Sequence, residues 1–173
     1  MQAARSKLPS CGFRIGLVWA SGDWDVTRNI AVSRLSVLGG IPDLKFVSLQ
    51  RGQSRHEIEA NCENLQFHYL EDDRATILET AALIQNLDLL ISVDTMSAHL
   101  AGALGKPVWL LLPFCADWRW MLHRSDSPWY PTMRIFRQPL PGDWDSVVAE
   151  IGRELVAISK RVTKKPGDRL TAL

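Results

Sequence analysis

The sequence predicts an α/β domain with a mostly parallel sheet of about six strands and helices on both faces. Short, nearly continuous apolar segments alternate with segments of helical periodicity, which is typical of strands buried on both faces. The chain has 173 residues, a length that suits one domain with a full core. Its composition, 46% hydrophobic and 23% charged, is that of an ordinary globular protein.

Six strands are predicted where apolar segments of five to seven residues are bounded by turn-forming or polar residues, at 14–20, 45–50, 65–69, 87–93, 107–112 and 133–137. Helical spacing predicts helices at 27–38, 54–62, 73–86, 95–104 and 144–160. Glycines end the first and fourth of these helices, and Asp143 is the predicted cap of the last one. The predicted domain spans residues 12–161, with flexible termini at 1–11 and 162–173.

Strands that alternate with helices need crossover connections, and these are right-handed by default. The predicted fold is therefore a doubly wound, Rossmann-like sandwich. Sheets of this kind bind ligands outside the carboxyl ends of their strands. Candidate site residues are consequently sought in the loops that follow the strands.

Charge and hydropathy exclude several classes of function. The net charge is +1, so no long-range field favours nucleic acid. No apolar segment approaches the roughly 20 residues of a membrane-spanning helix, and the first residues do not resemble a signal peptide. Cys11, Cys62 and Cys115 are odd in number and lack the spacing of metal ligands, which favours free thiols in a reducing, cytoplasmic setting.

The strongest local pattern is the segment 92–99, SVDTMSAH, where the fourth strand gives way to a helix. The first amides of a helix have no partner within it, and the positive end of its dipole attracts anions. Thr95 and Ser97 add hydroxyl donors, and His99 lies one turn after Thr95. A diphosphate therefore fits this position. The alternative is ordinary capping by Asp94 or Thr95 with a packed histidine, and this stretch alone does not separate the two.

Two longer segments, LDLLISVDTMSAHLAGALGKPVWLLLP and DWRWMLHRSDSPWYPTMRIFRQ, carry a resemblance to a known family. They resemble the C-terminal, donor-binding domain of bacterial glycosyltransferases associated with tetratricopeptide repeats. These enzymes are similar to the heptosyltransferases of family 9 and have the GT-B fold, of which this chain would be the C-terminal half. The resemblance extends from about Gly16 to the last helix.

The resemblance implies that Thr95, Ser97 and the backbone N–H of Met96 hold the diphosphate of a nucleotide-sugar donor. Asp94 and His99 would hold the loop. Relatives also carry a basic residue after the first strand. Arg28 is the candidate for that role, but the sequence departs from the usual pattern here and Arg34 competes with it; either one is equally well a surface helix arginine.

The nucleoside and the sugar would lie near the ends of the first, second and fifth strands. Gln50 is a candidate contact to the base or ribose, and Trp19 begins the loop that faces the same edge. Trp118 and Arg119 belong to the aromatic loop, the irregular segment 113–132 after the fifth strand, which either stacks on the ligand or packs rigidly over the sheet edge. For Gln50 the alternative is a polar strand end.

No cofactor and no metal is predicted. Two Asp-Trp-Asp triplets, 23–25 and 143–145, match the short pattern that metal-dependent glycosyltransferases of another fold use. Asp143 is better explained as a helix cap. Asp23 and Asp25 lie near the predicted site, so a metal bound by them is the alternative there.

The resemblance implies a glycosyltransferase that transfers a sugar from a nucleoside diphosphate to an unknown acceptor. In two-domain relatives the acceptor site and the general base come largely from an N-terminal domain, which this chain is expected to lack, so no catalytic residue is assigned and the chain alone is expected to be inactive. The expected partners are a nucleotide-sugar and the missing N-terminal half, tetratricopeptide repeats, or both. The alternative is a non-catalytic binding or scaffold domain. A dinucleotide-dependent oxidoreductase is disfavoured because no G-x-G-x-x-G follows the first strand.

Overall fold

The computed structural model describes residues 8–9, 11–22, 25–58, 64–70 and 72–164. Its centre is a sheet of six parallel strands in the order β3-β2-β1-β4-β5-β6. The strands are β1 (Phe13–Val18), β2 (Leu44–Ser48), β3 (Phe67–Leu70), β4 (Leu89–Val93), β5 (Val108–Leu112) and β6 (Met133–Arg137). The order reverses between β1 and β4, as in doubly wound folds, and the predicted fold class is confirmed.

Helices connect the strands and cover both faces of the sheet. The α-helices are α1 (Val32–Leu35), α2 (Ile77–Gln85), α3 (Met96–Ala103) and α4 (Trp144–Lys164), and the 3-10 helices are Val26–Arg28, Ser36–Gly40, Gln53–His56 and Trp118–Trp120. Asp143 caps α4 as predicted, because its carboxylate accepts a 3.0 Å bond from the amide of Ser146. No helix in these ranges is long and apolar enough to cross a membrane.

The core lies in two layers, one on each side of the sheet. On one side, strand residues such as Ile15 and Leu17 pack against the segment 30–38 and against α4. On the other side, residues such as Val47 and Leu110 pack against α2, α3 and Trp120. The strands β4 and β5 are buried along their whole length, which explains their continuous apolar sequences.

The single helix predicted at 27–38 is wrong, because the segment is interrupted at Asn29. Asn29 is extended, with φ −83° and ψ 141°, and it separates the 3-10 helix Val26–Arg28 from α1. The Asn29 side chain accepts a 2.8 Å bond from the amide of Ser21, and the amide of Ile30 donates to the carbonyl of Trp19 at 2.8 Å. These bonds tie the segment to the end of β1 and replace bonds that a helix would make internally.

Other differences concern the ends of elements. The helix predicted from residue 73 begins at Ile77, because Thr76 and Glu79 form a capping box there. Helix α4 continues to Lys164, so residues 162–164 belong to it and not to a flexible terminus. The helix predicted at 54–62 begins as the 3-10 helix Gln53–His56, and its end, with Cys62, lies outside the described residues.

Candidate functional site

The candidate site lies where the strand order reverses. Strands β1 and β4 are neighbours, with Val18 opposite Ser92, and their carboxyl ends open at the same edge of the sheet. The short turn of Asp94 and Thr95 joins β4 to α3 at this edge. Crevices at such positions are the usual ligand sites of doubly wound sheets.

The first two amides of α3 lack acceptors among the described residues, and Met96 is 47% exposed whereas Ser97 is buried. Thr95 is the N-cap in an extended conformation, and its side chain makes no capping bond. Instead its hydroxyl lies 2.9 Å from that of Ser92. The Thr95 carbonyl accepts from the amides of Ala98 and His99 at 3.1 and 3.3 Å, but within the described ranges no protein group accepts from those of Met96 and Ser97. Two backbone donors at the positive end of a helix thus remain open.

Asp94 connects the surrounding charged groups. Its side chain is only 5% exposed. One carboxylate oxygen lies 3.2 Å from Nη1 of Arg28, and the other lies 3.4 Å from Nε2 of His99. Arg28 Nη1 also donates to the Asp94 backbone carbonyl at 3.3 Å. Asp94 therefore fixes both the arginine and the histidine beside the start of α3.

Burial raises the pKa of the Asp94 carboxyl, but its neighbours outweigh this effect. Interactions with His99 and Trp120 and the charge of Arg28 together bring this pKa below its ordinary value. The Trp120 indole N–H lies close enough to contribute, although its buried nitrogen lacks the geometry of a full hydrogen bond. Asp94 is consequently ionised at neutral pH and acts only as an acceptor.

The two candidate arginines occupy different places. Arg28 is buried beside Asp94, and its Nε also lies 3.3 Å from the Asp25 carboxylate. Arg34 instead forms an ion pair with Asp145 in the first turn of α4. The structure therefore brings Arg28, and not Arg34, to the start of α3, with its guanidinium engaged by two carboxylates.

His99 is enclosed by aromatic rings. Its Nδ1 lies 3.0 Å from the Tyr130 hydroxyl, and its ring stacks on Trp120 with centroids 5.3 Å apart. Arg119 Nη1 lies 3.5 Å from Nε2 of the same ring. The aromatic loop after β5 thus folds over α3, and this contact explains why residues far apart in the sequence share one cluster.

In the aromatic loop, Arg119 and Trp118 behave differently. Arg119 donates from Nε and Nη2 to the Asp117 carboxylate at 2.8 and 3.2 Å, and its carbonyl accepts from the Trp129 indole at 2.9 Å. Trp118 is 79% exposed. Arg119 therefore reaches the His99 cluster, whereas the Trp118 ring is open to solvent, and their predicted contact with nucleoside or sugar stays a prediction.

Gln50 and Trp19 have structural roles in this conformation. The Gln50 side chain accepts from the amides of Trp19 and Ala20 at 2.9 Å each, and its nitrogen donates to the carbonyls of Ala20 and Arg51 at 3.1 and 3.0 Å. The Trp19 side chain is fully buried and packs on Phe67. Gln50 thus joins the ends of β1 and β2, and the predicted contacts of Gln50 and Trp19 with nucleoside or sugar stay predictions.

The Asp-Trp-Asp triplets are only partly described. Asp23 and Trp24 lie outside the described residues, whereas Asp25 caps the 3-10 helix Val26–Arg28 and pairs with Arg28. The described part of the chain contains no group of three or more acidic, histidine or cysteine side chains that could hold a metal ion. The expectation that no metal takes part stays a prediction.

Two site residues were missed by sequence reasoning, Tyr130 and Trp120. Both lie in the aromatic loop, which the sequence marks as unusual by its density of tryptophan, proline and charge. Their signal is spatial: Gly102 in α3 lacks a side chain where the Tyr130 ring lies, and a Cβ there would be 2.6 Å from Tyr130 Cγ. Sequence alone does not pair positions 28 residues apart.

No family model matches the sequence. Protein FlbA of Caulobacter vibrioides is 28% identical to it over 151 residues, which cover 83% of this chain and 25% of FlbA. This chain therefore spans about a quarter of the length of that relative.

Solved structures of glycosyltransferases share its fold. ADP-heptose lps heptosyltransferase II of E. coli matches with a TM-score of 0.68 at 14% identity, over 94% of this chain and 53% of its own. E. coli heptosyltransferase WaaC with ADP-2-deoxy-2-fluoro heptose matches with a TM-score of 0.57 at 14% identity, over 94% and 47%. A family 9 glycosyl transferase from Veillonella parvula matches with a TM-score of 0.59 at 15% identity, over 94% and 48%. At these identities the likeness shows a shared fold, and this chain spans about half of each protein.

Proposed function

We propose that this domain binds the diphosphate of a nucleoside diphosphate sugar, as the donor-binding part of a glycosyltransferase. The observation that carries the proposal is the pair of open amides, Met96 and Ser97, at the edge of the sheet where the strand order reverses. The shared fold supports it, since one neighbour is a heptosyltransferase solved with an ADP-sugar analogue.

The proposed binding mode uses hydrogen-bond donors. The amides of Met96 and Ser97 and the Thr95 hydroxyl would donate to phosphoryl oxygens, and the helix dipole would favour their negative charge. Donors fixed before the reaction stabilise charge that grows on the leaving diphosphate, which is the main requirement of glycosyl transfer at the donor side. Asp94, His99 and Arg28 hold this edge of the site in place.

The acceptor site and the general base are assigned to other parts of the protein, in a second α/β half or in tetratricopeptide repeats. This chain covers only 25% of FlbA and about half of each heptosyltransferase, which is consistent with that assignment. We therefore expect the domain alone to bind donor without efficient transfer. Catalysis without a metal and a cytoplasmic location belong to the same proposal.

Isothermal titration with ADP-, UDP- and GDP-sugars tests the proposal. We expect one class to bind and Thr95→Val to weaken that binding, because valine keeps the shape of threonine and removes its hydroxyl. Thr132→Val is the matched control, since Thr132 lies before β6 at the opposite edge of the sheet and donates to the Lys106 carbonyl. Failure of every donor to bind would refute the proposal.

A non-catalytic scaffold domain is the second candidate. It is favoured by the internal pairing of the site's charges, since Arg28 contacts Asp94 and Asp25, and Arg119 contacts Asp117. Substituting Thr95 and Arg28 in the full-length protein separates the two functions. A scaffold would keep its phenotype and bind no nucleotide, whereas a transferase would lose both donor binding and activity.

A further inference from the structure

Tyr130 is placed against His99 by close packing. Its ring meets the imidazole edge to face, with centroids 5.7 Å apart at 67°, and its hydroxyl lies 3.0 Å from Nδ1. Gly102, one turn after His99 on α3, permits this approach, because a Cβ there would lie 2.6 Å from Tyr130 Cγ. The contact therefore depends on a glycine in the last turn of α3, where any larger residue would meet the Tyr130 ring.

The neighbours of the imidazole determine which nitrogen carries the proton. An ionised carboxylate only accepts hydrogen bonds, so a hydrogen on His99 Nε2, 3.4 Å from the Asp94 carboxylate, would be attracted to it, whereas a lone pair there would be repelled. Nδ1 of the neutral ring then has a lone pair, and the Tyr130 O–H is its donor. Arg119 Nη1 is 3.5 Å from Nε2, at the limit of a hydrogen bond, and it could donate to this nitrogen only in the other tautomer.

We propose that Tyr130 is a positioning residue that fixes the His99 tautomer and, through it, the Asp94–Arg28 pair beside the amides of α3. The contacts form a continuous series: the Tyr130 hydroxyl lies 3.0 Å from His99 Nδ1, and His99 Nε2 and Arg28 Nη1 lie 3.4 and 3.2 Å from different oxygens of Asp94. The consequence for diphosphate binding rests on the proposed function. The tautomer itself does not, because it follows from contacts within the protein.

Nitrogen-15 NMR of the histidine rings tests the tautomer without any ligand. At pH 8 an ordinary histidine is neutral, and the chain has four, so the His99 signals are assigned by their loss in His99→Gln. We expect a protonated Nε2 and a hydrogen-bonded Nδ1 lone pair, and in Tyr130→Phe a shift of Nδ1 as that donor is lost. Protonation at Nδ1, or an unchanged spectrum in Tyr130→Phe, would overturn the proposal.

Gly102→Ala displaces the Tyr130 ring by a different route and should shift the same His99 signals. Gly152→Ala is the matched control, because a Cβ in that helix would make an ordinary 3.5 Å contact with Leu38 and should leave His99 unchanged. Equal spectra for the two alanine variants would also overturn the proposal.

Affinity for the nucleoside diphosphate that binds best supplies the functional readout. The loss of one neutral hydrogen bond in the series should weaken binding about 3- to 10-fold in Tyr130→Phe. Unchanged affinity with a shifted His99 signal would refute the link from Tyr130 to the anion site. If the unsubstituted domain binds no nucleotide, the proposed function fails while the NMR spectra still decide the tautomer.

Discussion

The substitution Met96→Pro removes one proposed ligand contact and almost nothing else. Met96 is the first residue of α3, a position that proline favours because its amide has no partner within the helix. Thr95 is already extended, with φ −142° and ψ 168°, which is the conformation that a following proline requires. The Met96 side chain is 47% exposed, so its loss should cost little stability.

The expected effect on affinity follows from the bond removed. A hydrogen bond to a charged group contributes about 1.5–3 kcal/mol, so the loss of the Met96 N–H should weaken diphosphate binding by roughly 10- to 150-fold. Met96→Ala loses the same side chain and keeps the amide, and it should bind close to the unsubstituted domain. Both variants should unfold within about 1 kcal/mol of the original protein.

Isothermal titration of the two variants with the same nucleoside diphosphate measures this difference, with thermal unfolding as the test of folding. A large loss in Met96→Pro beside a small one in Met96→Ala would assign the contact to the backbone. Equal affinities for the two variants would show that the Met96 amide does not meet the diphosphate, and they would refute the proposed geometry of the site.

Three further predictions concern stability. The first concerns Asp94, whose pKa is lowered in the folded protein. Its contribution to the free energy of unfolding is therefore complete above about pH 4, the unfolded value, and is lost as the pH falls through the lower folded value. Asp94→Asn should make the free energy of unfolding depend less on pH in this acid range, as measured by circular dichroism. The second is that Gly39→Ala should lower the free energy of unfolding, measured by urea denaturation, by more than about 3 kcal/mol, because its Cβ would overlap the carbonyl oxygen of Asn64. In the control Gly40→Ala the Cβ would meet open space, and the free energy of unfolding should change by less than about 0.5 kcal/mol. The third is that Thr76→Ala should lower the free energy of unfolding by about 1 kcal/mol, because the capping bond of α2 is lost. Thr76→Ser keeps a hydroxyl and should retain most of that stability. Equal effects of the two substitutions would refute the role of the cap.

Sequence reasoning succeeded where local patterns decide structure. Strand β6 was predicted with its observed ends, and β4 and β5 were recognised because burial on both faces demands a continuous apolar sequence. The start of α3 at residues 95–96 was also readable, since a polar turn follows an apolar strand. The position of Asp94, Thr95 and Met96 at the carboxyl end of β4 followed from the predicted order of a strand and a helix in a parallel sheet.

It failed where distant residues compete for local bonds. The segment 27–38 has helical spacing, but its Asn29 and Ile30 bond to Ser21 and Trp19 at the end of β1, which breaks the helix. The neighbouring sequence also could not show which of Arg28 and Arg34 lies at the site. It depends on which carboxylate each arginine meets, and Asp94 and Asp145 lie 66 and 111 residues away.

The ion pairs of Asp94 determine how much attraction for a diphosphate the amides of α3 would have to supply. A carboxylate so close to a bound diphosphate would repel it, and Arg28 and His99 offset this repulsion by contacting both Asp94 oxygens. Because Asp25 also contacts Arg28, little positive charge is left over for a ligand. Attraction must then come from fixed, directional donors at the start of α3, and such donors discriminate by geometry more than by charge. For this reason the proposed function predicts that the amides of Met96 and Ser97, more than Arg28, determine the affinity for a diphosphate.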